Sequence, residues 1–321
     1  MNKASPKDLI LAITYRCNSR CIMCNIWQKQ GNGRELKLED FYKLPENLRD
    51  INITGGEPFL RQDLYEIVKI ITQSCPKAKI IISTNGFATD LIMDQMKKIL
   101  VIRPDIGIAV SLDGIGEAHD KIRGIVGGYD KAIATIKGLR TLGIKKLKIG
   151  FTMGDYNTQE LRRVYGLAKE LGAEFTLAVV HSSKNYFNKE NRLENRYELL
   201  KQLEWLQSEE LSSWNWKKWA RAFFAYGMQE FIRTGERVLP DYSGELNIFI
   251  DPLGDIFPSD VSAKKIGSLG NVPGNFKKEN DIDCAKSWMV CTVRPAMKKH
   301  WLKVSTWILK NKFKRFQKPE D

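Results

Sequence analysis

Asp8-Leu-Ile-Leu-Ala-Ile-Thr-Tyr-Arg-Cys17-Asn-Ser-Arg-Cys21-Ile-Met-Cys24 begins as an unbroken apolar run and ends in three cysteines spaced C-x3-C-x2-C. A run of that kind is the pattern of a strand covered on both faces, as in a parallel sheet. The cysteine loop therefore leaves the end of a core strand. Three thiolates on one short loop can close around a single metal centre, yet iron–sulfur clusters and structural zinc sites normally take four protein ligands. The missing ligand leaves one coordination position for a reacting molecule. Arg16 and Arg20 flank the thiols, and neighbouring cations lower a thiol pKa, which favours ligation over simple burial. The competing readings are a zinc knuckle and thiols buried as small hydrophobes.

Working outward, apolar runs alternate with helical periodicity. Strands are expected over 8–14, 48–54, 79–83, 106–112, 146–152 and 173–180. Helices are expected over 38–44, 64–74, 90–100, 129–142 and 158–171, the last two stopped by Gly143 and Gly172. Such alternation gives right-handed βαβ units and a parallel sheet, open or curled into a barrel. Each polar motif follows a strand: Thr54-Gly-Gly-Glu-Pro58, Thr84-Asn-Gly86 and Ser111-Leu-Asp-Gly114. The C-terminal ends of barrel strands are where active sites are built.

The cysteine run and the Gly-Gly-Glu-Pro stretch together resemble the radical S-adenosylmethionine (radical SAM) enzymes. The resemblance implies an α/β fold, a partial (β/α)6 TIM-like barrel. It also implies a 4Fe–4S cluster on Cys17, Cys21 and Cys24, whose fourth iron chelates S-adenosylmethionine. Reductive cleavage of that cofactor then yields a 5′-deoxyadenosyl radical that abstracts hydrogen from substrate. Thr54, Gly55, Gly56 and Glu57 would line the methionine amino group, with the glycines allowing close backbone approach and Glu57 accepting from the ammonium. Thr84 and Asn85 fall where the family contacts the ribose. Ser111 and Arg123 match positions holding the methionine carboxylate, which an arginine grips with two parallel bonds. Asp113 and Thr152 are further candidates. His119 is set between proton transfer and a solvated helix start.

Beyond Val180 the pattern changes. Residues 185–235 are helical and hold Trp205, Trp214, Trp216 and Trp219, expected to pack one helical layer on the next. From Asp241 to about Val293, Leu246–Ile250 and Asp255–Pro258 read as a hairpin. This stretch resembles the SPASM or twitch extensions of radical SAM enzymes, with Ser259 where the first cysteine is expected and Gly270-Asn271 matching their Gly-Asn pair. Only Cys284 and Cys291 follow it, too few for a four-cysteine site, so no auxiliary cluster is expected. These two are candidate catalytic residues beyond the cluster, as hydrogen-atom donors, against a plainer role as buried thiols. Cys75 reads as structural. In the last stretch Met297, Trp301, Val304, Ile308, Leu309 and Phe316 share one side of a helix, and Lys299, Lys303, Lys310 and Lys314 the other. This fits a helix lying on anionic lipid, or one docked on its own domain.

The division expected is a radical SAM core with its helical layer over 5–235, a degenerate appendage over 241–295 and a basic helix over 296–316. The chain has 321 residues, 43% hydrophobic and 28% charged, with a formal net charge of +13. No run approaches the roughly 20 apolar residues of a spanning helix. The first residues lack a signal-peptide core, so the expected location is the cytoplasm, extending to the inner face of the membrane. There the six cysteines would be ligands or free thiols rather than disulfides. A positive field suits nucleic acid, anionic lipid or phosphorylated substrate. Without a zinc-finger pair or an aromatic RNP strand, nucleic acid is not an expected partner. The expected partners are a low-potential electron donor of flavodoxin or ferredoxin type and a substrate, read as a sugar or a lipid-linked or phosphorylated small molecule. The alternatives are a peptide-modifying maturase, a non-catalytic zinc-stabilised binding module, and a peripheral membrane scaffold acting through the last helix.

Overall fold

The apolar run at the start of the chain is strand β1 (Asp8–Ala12) in the computed structural model, which describes residues 5–29, 35–273, 276–277 and 281–313. After it come β2 (Asp50–Thr54), α1 (Leu64–Ser74), β3 (Lys79–Thr84), α2 (Thr89–Ile102), β4 (Gly107–Ser111), α3 (Glu117–Arg123) and α4 (Gly128–Thr141). The alternation closes with β5 (Lys146–Met153), α5 (Glu160–Glu170) and β6 (Glu174–Val179). All six strands are parallel, each hydrogen-bonded to its predecessor in the sequence. This is the expected α/β partial barrel. Helix α3 begins two residues before the helix start read at His119. Only seven residues long, it ends at Gly124 in the left-handed region, and Gly127, also left-handed, starts α4. Two breaks so close hide the period of a short helix.

Burial alternates along the strands because successive side chains point to opposite faces. One set, including Ile51, Ile53, Ile80, Ile82, Ile108, Val110 and Ile149, joins Ile67, Val68, Ile92, Met96, Ile136 and Leu139 of the helices in the main core. Towards the cysteine end of β2 to β6 the other set is small or polar, while Ile10 and Ile81 lie deeper. Asn52, Ser83, Ala109, Ser111, Gly150, Thr152, Thr176 and Ala178 leave a lumen of about 320 Å³ inside the curled sheet. Large aliphatics on both faces would have filled it.

Helices α6 (Arg196–Ser212) and α7 (Trp216–Thr234) form a hairpin capped at its starts by Asn195 and Asn215, whose side-chain oxygens accept from Glu198 N and Lys217 N. The tryptophans divide. Trp205 packs edge-on to Tyr165, and Trp219 Nε1 donates to Ser213 O, whereas Trp214 and Trp216 are 80% and 71% exposed. The expected packing of one layer on the next therefore fails for two of the four.

Strands β7 (Asn247–Ile250), β8 (Asp255–Phe257) and β9 (Gly267–Ser268) follow. The expected hairpin forms, with Asp251 Oδ1 accepting from Leu253 N and Asp255 N across its turn. Its first strand also lies parallel to β1, so the described residues build one nine-stranded sheet in the order β6-β5-β4-β3-β2-β1-β7-β8-β9. Helices α8 (Ile282–Ala285), α9 (Val290–Lys299) and α10 (Trp301–Lys312) complete the described residues.

The single amphipathic helix expected here is two helices, broken at His300, whose Nε2 meets Tyr242 Oη at 2.7 Å. Trp307 stacks on Tyr226 and meets Phe223 edge-on, and Val304 and Ile308 pack beside it. Trp301, Leu302, Leu309 and Phe313 are 60–73% exposed. The expected apolar side is thus split between a docked strip and a bare one. Phe316 and Lys314 lie outside the described residues. Among those described, no helix is long and apolar enough to cross a membrane.

Trp288 lies across α7, its Nε1 donating to Phe224 O, and a Cβ on Gly227 would stand 1.9 Å from its ring. Overpacking of this kind costs roughly 1–3 kcal/mol. Gly227→Ala should lower stability by about that much in urea unfolding; an unchanged midpoint would show that the ring is loosely seated.

Candidate active site

The cysteine loop is held by backbone before any side chain acts. Past β1, Thr14 O accepts from Gly56 N at 2.7 Å and Arg16 O from Glu57 N at 2.8 Å, continuing the β1–β2 ladder into the two loops. A Cβ on Gly56 would lie 2.2 Å from Arg16 O, and one on Gly55, at φ +149°, 2.5 Å from Thr14 O. The small size of the glycine pair is thus already taken up by the cysteine loop. Arg61, buried, donates to Ile13 O and Leu36 O at 2.9 Å, and Glu35 accepts from Thr14 Oγ1 and Tyr15 N at 2.8 Å. Neither was singled out in the sequence, where both sit in polar stretches without a motif.

Further along, Arg20 N and Ile22 N donate to the carbonyls of Arg123 and Ile122, tying the loop to the end of α3. Ser19 Oγ donates to Arg123 O and lies 3.0 Å from Cys21 Sγ. Arg20 turns away, donating to Cys17 O and Ser19 O and stacking over Trp27. The cation that reaches a thiol is Arg123, with Nη1 3.7 Å from Cys21 Sγ. This corrects the expectation for Arg16 and Arg20. Burial pushes the Cys17 thiol up to about 12 and the Cys24 thiol up to about 11.

Glu57 has no exposed surface. Its Oε1 accepts from Thr84 Oγ1 at 2.8 Å and Phe59 N at 3.2 Å, and its Oε2 from Asn85 N at 2.7 Å. Burial raises its pKa to about 7 against the pull of those donors. Asp113 pairs with Arg123 at 2.6 Å and accepts from Thr152 N. Burial works against the charge of Arg123, but Asp113 and Cys21 outweigh it and hold the guanidinium charged. His119 is fully buried, and its Nδ1 accepts from Asp113 N. Burial first, then Arg123, push its pKa down to about 3. The solvated helix start expected of it is wrong, and a group so hard to protonate does not carry protons near neutral pH.

Cys17, Cys21 and Cys24 line one cavity of about 370 Å³. Thr54, Gly55, Gly56, Thr84, Asn85, Ser111, Arg123 and Thr152 line the same cavity, whereas Glu57 stands behind its wall. It opens into the lumen, sharing Asn52, Ser83, Ser111 and Thr152 with it. All three cysteines are free thiols. Among the described residues no three His, Cys, Asp or Glu side chains close on a single metal ion; the three cysteines suit a cluster by their chemistry and shared cavity, since buried thiols that resist ionisation become good ligands once a metal centre supplies the compensating charge. Cys75 is buried with its thiol against Pro45 O, as expected of a structural residue. Cys284 is fully buried, 3.0 Å from Ser259 Oγ, while Cys291 borders the lumen.

Residues 11–168 match the family model described as the radical SAM superfamily. These residues, just under half of the chain, form a radical SAM domain. The chain is therefore an enzyme, and the domain brings with it a 4Fe–4S cluster and S-adenosylmethionine, which displaces the zinc-module alternative. A probable GTP 3′,8-cyclase of Saccharolobus islandicus is 32% identical over 182 residues, 54% of this chain and 57% of that protein. A probable GTP 3′,8-cyclase of Metallosphaera sedula is 29% identical over 176 residues, 52% of this chain and 53% of that one. The chain thus aligns with little more than half the length of these curated relatives. The fold resembles that of Streptococcus suis SuiB bound to S-adenosylmethionine, with a TM-score of 0.62, 17% identity, and 84% and 64% of the two chains covered. It also resembles anSMEcpe with bound AdoMet, with a TM-score of 0.63, 14% identity, and 95% and 100% covered.

Glu57 binds its proton more tightly folded, at about 7, than at its ordinary value of 4.5. Folding therefore takes up a proton between these values; the contribution is complete below 4.5 and lost as pH rises through about 7. In cluster-free protein, wild type should lose stability over that interval relative to Glu57→Gln, which does not titrate. Urea unfolding across the interval checks this, and a constant difference between the two proteins would refute it.

Proposed function

We propose that this radical SAM enzyme abstracts hydrogen from a phosphate-bearing small molecule of about nucleotide size. The supporting observation is the convergence of Cys17, Cys21 and Cys24 with Ser111 and Arg123 on a cavity that opens into the lumen. When bound and reduced by a flavodoxin- or ferredoxin-type donor, a cluster on these cysteines would supply the one electron needed to part S-adenosylmethionine into methionine and the 5′-deoxyadenosyl radical. In this reading the three cysteines hold the cluster, and Gly55 and Gly56 present backbone beside the methionine amino group. Ser111 and Arg123 orient the methionine carboxylate, with Asp113 keeping the guanidinium in place. Thr84 and Asn85 face the ribose, and Glu57 fixes that turn from behind. The SPASM/twitch-like part, in which Ser259 replaces a cysteine, carries no auxiliary cluster in this reading.

The substrate class rests on the nucleotide in the relatives' names and on the net charge of +13. Those names move the expectation from a sugar or lipid-linked molecule to a phosphorylated one. Purified and reconstituted without air, the protein should bind about four irons per chain and release 5′-deoxyadenosine with a strong reductant. Cys17→Ala, Cys21→Ala and Cys24→Ala should each abolish deoxyadenosine formation; activity surviving any one of them would refute the ligand set.

Peripheral membrane contact is retained on a specific observation. Leu302, Leu309 and Phe313 lie on the side of α10 away from Val304 and Trp307, and Trp214, also bare, lies under Lys312. Aromatic and basic residues together suit an anionic interface. The protein should float with vesicles containing phosphatidylserine and not with neutral ones. Removing residues 299–321 should abolish flotation; equal flotation of both proteins would exclude the helix.

A further inference from the structure

His181 lies two residues past β6 and borders three spaces: the cysteine cavity, the lumen and a third chamber of about 640 Å³. Among the described residues it alone lines all three. Its ring is fixed from two sides, with Nε2 3.4 Å from Asp260 Oδ2 and Phe187 at a centroid distance of 5.2 Å. Asp260 belongs to the segment after β8, and its own carbonyl accepts from Ser183 Oγ at 2.6 Å. The loop after β6 and the C-terminal segment are thereby locked together at the neck.

The third chamber lies between that loop, the end of α7 and the residues before α9. Lys184, Arg196, Arg233 and Lys286 line it, against Asp283 as its acidic side chain. Glu190 faces Lys184 at 3.6 Å and Glu230 faces Arg233 at 3.3 Å. Arg196 and Lys286 have no acidic partner among the described residues. Its volume falls within the range of small-molecule sites, roughly 300–1,000 Å³. A concave wall of one sign also concentrates ions of the other.

We propose that this chamber binds the phosphate or polyphosphate group of the substrate, and that the rest of the substrate passes the neck at His181 towards the S-adenosylmethionine cavity. This rests on the function proposed above and adds where the anion sits and which cations meet it. Arg196 and Lys286, which make no ion pair among the described residues, are the two free to change partner. Met228, Ile232, Trp288 and Met289 give the chamber an apolar side, so the charged group is held against the basic wall.

The test uses the full-length, cluster-reconstituted protein and equilibrium dialysis with pyrophosphate, GTP and guanosine. GTP and pyrophosphate should bind, and guanosine at least tenfold more weakly than GTP. The double variant Arg196→Glu/Lys286→Glu should lose at least tenfold in affinity for both anions. Lys97→Glu/Lys98→Glu, the same change of net charge on α2, should lose little. Equal losses in the two double variants would reduce the effect to net charge and overturn the proposal, as would wild-type protein that binds neither anion. His181→Trp should retain pyrophosphate binding and weaken GTP at least tenfold; unchanged GTP affinity would remove His181 from the path. Deoxyadenosine formation by the same wild-type preparation separates the two hypotheses. If it proceeds while anions fail to bind, only the chamber assignment falls; if it is absent, the proposed function falls.

Discussion

Two backbone hydrogen bonds, from Gly56 N to Thr14 O and from Glu57 N to Arg16 O, set the position of the cysteine loop. They extend a parallel ladder past the point where strands normally splay into separate loops, and they require a residue without a side chain at Gly56. The loop is therefore a rigid continuation of the sheet, and each thiol inherits the sheet's geometry. Arg61 and Glu35 satisfy the polar backbone left over at its root, as burial demands. Its far side is stitched to α3 through the Arg123 and Ile122 carbonyls. Arg123 thus has two duties on one residue: its backbone holds the loop and its guanidinium faces the cavity.

The second constraint is the size of the lumen-facing side chains. Parallel sheets are usually filled on both faces. Here every second position along β3 to β6 is held at or below the size of threonine near the cysteine end, and the space so created joins the cysteine cavity to the barrel interior. Lys148, lower in the lumen, is the largest exception, and burial depresses its pKa. Asp113 and Asn157 complete the rim: Asn157 Nδ2 donates to Asp113 O and Thr152 O, fixing the loops after β4 and β5 against each other.

Much of this was legible in the residues. Alternating apolar runs gave all six barrel strands within about two residues, because each is buried enough to need an unbroken pattern. The cysteine spacing and the motifs at strand ends located the cavity, since chemistry and topology coincide there. Other features depend on long-range contact and left no local trace. Nothing in Asn247–Ile250 distinguishes a strand that pairs with its own hairpin from one that also joins β1. His119 looks like a surface residue until α3 folds it beneath Asp113 and Tyr129. Arg16 and Arg20 are near the thiols in sequence, yet the guanidinium that reaches sulfur comes from Arg123. The periodicity from Ala296 onward carries through His300, while the chain itself breaks there.

The pairing of β7 with β1 has a consequence for how the chain is made. Asp8 faces Asn247 across that ladder, and Arg294 and Lys298 of α9 close on Asp8 and Asp50 from the other side. During synthesis β1 keeps an open, apolar edge until β7 has followed it out of the ribosome. Such an edge is a template for pairing with another chain, and contacts this distant form slowly. The nascent protein therefore passes through a long interval in which its most apolar strand waits half-paired, the stage at which a chaperone has most to protect.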